Sequence, residues 1–431
     1  MASSRSLFAN RDFRLLFTGR CVSLLGDGAF LVAMAWQAYT LSNAPSALSL
    51  LGVAMTTPLI VLLLFGGVVS DRYDRRKVML LADGVRAALL AILGALAASG
   101  ALRLWHMVLI VAVYGSAQAF FDPASEAIVP DLLAPSQLGQ ANALEQVVRP
   151  LALRLAGPAL GGALIGVVGS GGAFLVDAAS FTVSAATLWA MSAHVRPAAA
   201  PVAPEASASR QILEGWAYVR RNVWLWGTFA SAGLAYLLFM GPAEVLLPFV
   251  LKHELSGSGA QLGLVLGAGG LGSVGCALVM MRSGLPSRGI TFMYLVWALA
   301  TVAVAGYGLA NTLWQLMLAS LAFNLLETAG TIVWATIKQR HVPGTMLGRV
   351  SSLDWLVSIG LLPVSFALTA PVSAMVGVRT TLIAAGLAGA AVTLGGLLLP
   401  GMRRADRSMA AAGSASPSPP ALVGALQPGS S

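Results

Sequence analysis

The chain has 431 residues, of which 57% are hydrophobic and 10% charged, with a mean hydropathy of +0.80. A soluble domain carries about 25% charged residues, so water is not the main solvent of this chain. The net charge of +9 is distributed as punctuation between apolar runs and not as one basic face interleaved with aromatics, which excludes nucleic acid as the partner.

A helix needs about 20 mostly apolar residues to cross a bilayer. Runs of that kind occupy residues 15–41, 47–69, 78–99, 104–126, 142–168, 172–192, 224–250, 259–282, 287–309, 313–337, 350–375 and 379–400. The expected fold class is therefore an all-α membrane protein with twelve transmembrane helices in two six-helix pseudo-symmetric bundles. The expected domains are an N-terminal bundle over 1–192, a cytoplasmic linker over 193–222, a C-terminal bundle over 223–402 and a disordered tail over 403–431. The first run follows Arg5, Arg11 and Arg14 and is far longer than the h-region of a cleavable signal peptide, so it is expected to stay. Cys21 and Cys276 lie inside apolar runs; they give no disulfide framework and read as small buried residues.

Lys and Arg favour cytoplasmic loops. With the N-terminus inside, that side collects 20 basic residues, from Arg5 through the Arg72–Lys77 group to Arg403, Arg404 and Arg407, and the other side collects only Arg103, Lys252 and Arg379. Both termini are expected in the cytoplasm, in a multi-pass protein of the cell membrane.

In chain order, the first candidate functional residue is Asp27, near the middle of the first run within Ser-Leu-Leu-Gly-Asp-Gly. Between the second and third runs stands GGVVSDRYDRRKVML, residues 66 to 80. Gly67 suits a close helix approach, and Asp71 can face a helix N-terminus, where partial positive charge favours an anion. Glu145 and Arg149 are i,i+4 neighbours and are expected to pair locally; Asp122 and Glu126 share a sign and are expected at the cytoplasmic edge. Arg154 lies deeper, as a contact for an anionic substrate or a cavity acid. Next comes Gly157-Pro158-Ala159-Leu160-Gly161-Gly162: Pro158 removes a backbone donor and the glycines admit a neighbouring helix.

Residues 193 to 222 join an Ala/Pro stretch to RQILEGWAYVRRN, which is expected either to lie at the membrane surface, with Trp216 and Tyr218 at headgroup level, or to be a plain connector helix. Val129-Pro130 and Val342-Pro343, 213 residues apart, mark an internal repeat of a kind found in transporters. Gly267, Gly269 and Gly272 fit Gly-x-Gly-x-x-Gly, but without a preceding strand or a following acid they read as helix packing. Glu244 and Glu327 complete the intramembrane acids. The repeat offset carries Asp27 to position 240, one turn from Glu244. Ionisable residues inside spans mark ion or substrate pathways, and desolvation favours the neutral form of a carboxyl group, which suits proton exchange.

Gly67, Asp71, Arg72, Arg75 and Arg76 resemble the cytoplasmic signature of the major facilitator superfamily. Asp74, where the superfamily pattern has Gly, is similar to the branch of siderophore, macrolide and multidrug exporters. Gly157, Pro158, Gly161 and Gly162 resemble part of the antiporter signature of the same superfamily, with Leu153 in place of an upstream Gly. The resemblance implies that Asp71 and its arginines latch the cytoplasmic side shut. It also implies a secondary transporter, not an enzyme, that exports a hydrophobic or amphiphilic small molecule in exchange for protons.

Asp27, Glu244, Glu327 and Arg154 are the expected coupling and cavity residues. The partners are a small-molecule substrate and the lipid bilayer, with no cofactor and no metal, the proton gradient as energy source, and a monomer as functional unit. An importer or facilitator on the same fold, or a non-transporting receptor or scaffold, are the alternatives. No phosphate-binding loop is present, and the four His give no metal-ligand spacing.

Overall fold

The computed structural model describes residues 7–192, 208–283, 286 and 288–414, apart from a few side chains inside helices, that of Asp71 among them. The described helices are α1 (Arg11–Leu41), α2 (Pro45–Arg72), α3 (Arg75–Ala98), α4 (Leu104–Leu132), α5 (Pro135–Pro150) and α6 (Gly157–Ala190), the last two joined by a π-helical turn, Leu151–Ala156. After α7 (Ala208–Arg221) come α8 (Val223–Phe249), a π-helical turn Val250–Glu254, α9 (Gly259–Ser283), α10 (Gly289–Leu309) and α11 (Leu313–His341). The chain continues through α12 (Gly344–Gly360), α13 (Leu362–Val376), α14 (Val378–Leu397) and α15 (Met402–Ser414).

Among the described residues, 11 segments are long and apolar enough to cross a membrane. One of them, Gln140–Ala190, has 51 residues, about 77 Å of helix at 1.5 Å per residue against a hydrocarbon core of about 30 Å. It is two spans. The break falls at Gly169, whose φ of 73° and ψ of 174° are not helical; the left-handed φ falls on a residue without Cβ. Twelve crossings result, as expected.

The packing repeats six spans on. In the first half α1 packs on α6, α2 on α4, α3 on α4 and α6; in the second, α8 packs on α13 and α14, α9 on α11, α10 on α11 and α14. Between the halves, α6 meets α9 and α2 meets α13. The α6–α9 seam is a backbone contact: a Cβ on Gly162 would lie 2.6 Å from Gly263 Cα. The two Val-Pro pairs are not in register, because Pro130 sits inside α4 whereas Val342 caps α11.

One expectation changes at the edges. The tail over 403–431 was expected to be disordered, but α15 extends to Ser414 and docks through buried Asp406, which accepts from the Ile290 N–H at 2.9 Å and the Thr291 Oγ1 at 2.5 Å. The reason is the open N-terminus of α10, whose first N–H groups need an acceptor. Residues 415–431 lie outside the described residues, as do 193–207 of the linker. The second part of the linker is the helix α7, which buries Val219, exposes Trp216, Arg220 and Arg221, and is held by the Arg349 Nη1–Glu214 Oε2 ion pair at 2.8 Å.

Candidate functional site

The site is built from ionisable residues that the spans carry into the membrane. On α1, Asp27 accepts a hydrogen bond from the Tyr114 hydroxyl of α4. It lines a cavity of about 120 Å³ with Arg20, Arg86, Asp122 and Arg149. A second cavity of about 100 Å³ shares Gln118, Asp122 and Arg149 with the first, so the two adjoin at these residues of α4 and α5. The expected local pair of Glu145 with Arg149 does not form: Glu145 Oε1 accepts from Arg20 Nε of α1 at 2.9 Å, leaving Arg149 to face the cavities. The ion pair across helices wins because Arg20 also reaches the Ser125 hydroxyl, at 2.6 Å, and is fixed there.

Behind Asp27 lies a group that the sequence reading missed. Asp83 and Asp177 are fully buried and Arg86 nearly so. Arg86 Nη2 donates to Asp83 Oδ1 at 2.5 Å, and the Ser184 hydroxyl donates to Asp83 Oδ2 at 2.7 Å. The guanidinium is clamped 4.3 Å from the Phe121 ring and 4.3 Å from the Phe181 ring, cation–π contacts that strengthen where water is absent. Asp177 packs against α1 at Gly26, where a Cβ would meet Asp177 Oδ1 at 2.1 Å. The available signal was an acid in an apolar run, the one that singled out Asp27.

The second half contributes Glu327. Arg154 Nη1 donates to Glu327 Oε2 at 3.0 Å across the seam, and the Thr331 hydroxyl donates to Glu327 Oε1 at 3.0 Å. Arg154 sits in the π-helical turn Leu151–Ala156, a device common at functional positions. The turn has a sequence cause: Pro158 has no N–H to give the Arg154 carbonyl, which instead lies against Gly270 of α9, 2.1 Å from where a Cβ would stand. Gly157 and Gly161 press on Gly28 and Ala29 of α1, and Gly162 on Gly263, so the glycines of this motif form two helix seams. Gly269 and Gly272 likewise face α11, the packing role expected of them. Glu244 of α8 is accessible between buried Ala243 and Val245, and no hydrogen bond joins it to Arg154 or Asp27.

In the loop motif the close approach belongs to Gly66 and not to Gly67, a correction. A Cβ on Gly66 would lie 1.9 Å from the Ala119 carbonyl oxygen, whereas one on Gly67 would meet nothing within 4 Å. Successive helical residues point about 100° apart, so the neighbour faces away. Asp74 caps α3 by accepting from the Lys77 N–H at 3.3 Å. Arg75 donates to the Ala127 carbonyl at 3.0 Å and pairs with Asp131, Arg76 donates to the Leu188 carbonyl at 2.7 Å, and Arg72 is exposed. The Asp71 side chain, on which the latch rests, lies outside the described residues.

At the opposite end of the spans, α1 is tied to α8 and to the π-helical turn that follows it. The Tyr39 hydroxyl donates to the Val245 carbonyl at 2.6 Å, and Lys252 Nζ donates to Thr40 Oγ1 at 2.7 Å while lying 4.4 Å over the Trp36 ring.

A family model described as "Transmembrane secretion effector" matches residues 2–425. The chain belongs to this family, within the major facilitator superfamily. It is similar to the multidrug efflux pump Tap of Mycobacterium tuberculosis, with 25% identity over 417 residues covering 91% of this chain and 94% of that one. It is also similar to the enterobactin exporter EntS of Shigella dysenteriae, with 27% identity over 347 residues covering 79% and 80%. Its fold matches a bacterial homologue of the iron transporter ferroportin in an inward-facing state, with TM-score 0.66 and 18% identity over 90% of this chain and 98% of that one. As a member of this superfamily the chain is a multi-pass membrane transporter and not an enzyme.

Proposed function

We propose that the chain is a proton-coupled exporter of hydrophobic or amphiphilic small molecules, of the kind handled by drug, antibiotic and siderophore exporters, with both termini in the cytoplasm and a monomer as the working unit. The observation that carries this reading is the placement of Asp27 at mid-span, hydrogen-bonded to Tyr114 and open to a cavity lined by both apolar and charged side chains. A carboxyl group held there exchanges a proton with the cavity, because charge inside a membrane is costly and a proton removes it. Arg154 and Glu327, one from each half, are the pair whose making and breaking follows the rocking of the halves, in keeping with substrate sites at the repeat interface. The names of the exporters among its relatives support the outward direction. The Arg-rich loops fall on one side of the spans, which supports the orientation.

Everted vesicles energised by respiration test the reading. Vesicles carrying the chain accumulate ethidium or a labelled macrolide faster than vesicles lacking it, and a protonophore abolishes the difference. Asp27→Asn lowers this flux at least about tenfold, equivalent to about 1.4 kcal/mol of barrier, at unchanged protein level. Accumulation that ignores the protonophore removes proton coupling, and accumulation only in right-side-out vesicles removes export.

A further inference from the structure

Asp177 occupies a place that the transport scheme above does not use. Its side chain is fully buried, Oδ1 accepts from the Ser180 hydroxyl at 2.9 Å, and Oδ2 has no hydrogen-bond partner. The groups around it come from every helix packed on this part of α6: Asp27 beside Gly26 on α1, Asp83 and Arg86 on α3, Tyr114 on α4. Arg86 is the cation of this group, and it is committed to Asp83 and clamped between two phenyl rings. Arg86 pairs with Asp83, so neither Asp27 nor Asp177 has an ion-pair partner; Asp27 faces a cavity that Arg20 and Arg149 also line, and the sealed acid with a bare oxygen is Asp177.

A carboxylate in that position would be an uncompensated charge in a low-dielectric interior, which proteins avoid by neutralisation. The neutral acid leaves unsatisfied only one hydroxyl. We infer that Asp177 holds a resident proton and forms with Asp27 a two-carboxyl proton site in the first half, Asp177 sealed behind the α1–α6 contact at Gly26 and Asp27 exchanging with the cavity. The assignment of exchange to Asp27 rests on the function proposed above; the proton on Asp177 does not.

Infrared titration of the purified full chain in lipid nanodiscs tests this without any substrate. The wild type shows a protonated-carboxyl C=O band at neutral pH, which Asp177→Asn removes and Asp27→Asn retains. Ser180→Ala moves the band, since it deletes the hydrogen bond to Oδ1 and keeps the acid, and it serves as the probe if Asp177→Asn does not fold. Full band intensity in folded Asp177→Asn, or an unmoved band in Ser180→Ala, overturns the proposal. A band that behaves as expected in a protein whose flux ignores a proton gradient leaves the Asp177 proton standing and removes the exchange role of Asp27.

Discussion

Charged groups inside the first half and charged groups across the seam are handled in opposite ways. Within the first half Asp83 and Arg86 are buried: Asp83 accepts from Arg86 and from Ser184, and the Arg86 guanidinium, whose Nε has no partner, lies between two aromatic rings. Across the seam Arg154 and Glu327 meet through one bond, with the Arg154 side chain 47% exposed. A sealed pair cannot separate without stranding a buried charge; an accessible pair can exchange its partner for water, proton or substrate. The difference assigns the first to holding a bundle together and the second to motion between bundles.

The largest expected effect breaks the sealed pair. Arg86→Leu leaves Asp83 with an uncompensated charge and costs about 3–5 kcal/mol, visible as loss of monodisperse protein and a lowered melting temperature in detergent. Adding Asp83→Asn recovers a large part of the loss. If Arg86→Leu melts with the wild type, this pair within α3, with its contacts to Ser184 and Phe181 of α6, is not what holds the two helices together, and the contrast with the seam fails.

A smaller effect is expected at the seam. Arg154→Ala and Glu327→Ala each slow gradient-driven ethidium flux, and a double-mutant cycle returns a coupling of roughly 0.5–3 kcal/mol. The swap Arg154→Glu with Glu327→Arg restores flux toward wild type with little change in melting temperature, as an accessible pair permits. A swap that unfolds the protein makes the seam pair structural, like the sealed one.

Most of the fold was legible because hydropathy alone defines a span: each apolar run became a crossing, and the turn between the fifth and sixth runs fell on Gly169. The site was legible only one residue at a time. Asp27, Glu327 and Arg154 announced themselves as charges in apolar runs, but their partners are set by helices distant in sequence, as Glu145 with Arg20 shows. Asp83, Arg86 and Asp177 gave the same signal as Asp27 and acquired meaning only when α3, α4 and α6 packed around them. Gly66 and Gly67 differ by one step in sequence and by about 100° around the helix, an angle fixed by which face meets α4. The docking of α15 depends on a helix terminus with unsatisfied N–H groups that lies 115 residues earlier in the chain.

The finest distinction concerns the end of the seam where α1 meets α8. Tyr39→Phe removes one hydrogen bond, worth about 0.5–1.5 kcal/mol, and leaves the ring contacts with Phe249 and His253 in place. If the tie holds that end closed, the population in which it is open rises roughly two- to tenfold. The buried neighbour Ala38 reports the opening: in a background with Cys21 and Cys276 replaced by Ser, Ala38→Cys reacts with a membrane-impermeant maleimide faster by that factor. Lys252→Met in the same assay separates the two ties, because it deletes the bond to Thr40 and the cation over Trp36 and spares Tyr39. Faster labelling in both variants makes the closure a sum of weak, separable contacts, in keeping with the accessible Arg154–Glu327 pair. An unchanged rate in both would mean that apolar packing between α1 and α8 carries the closure, and the polar ties only fill the hydrogen-bonding capacity of a seam already shut.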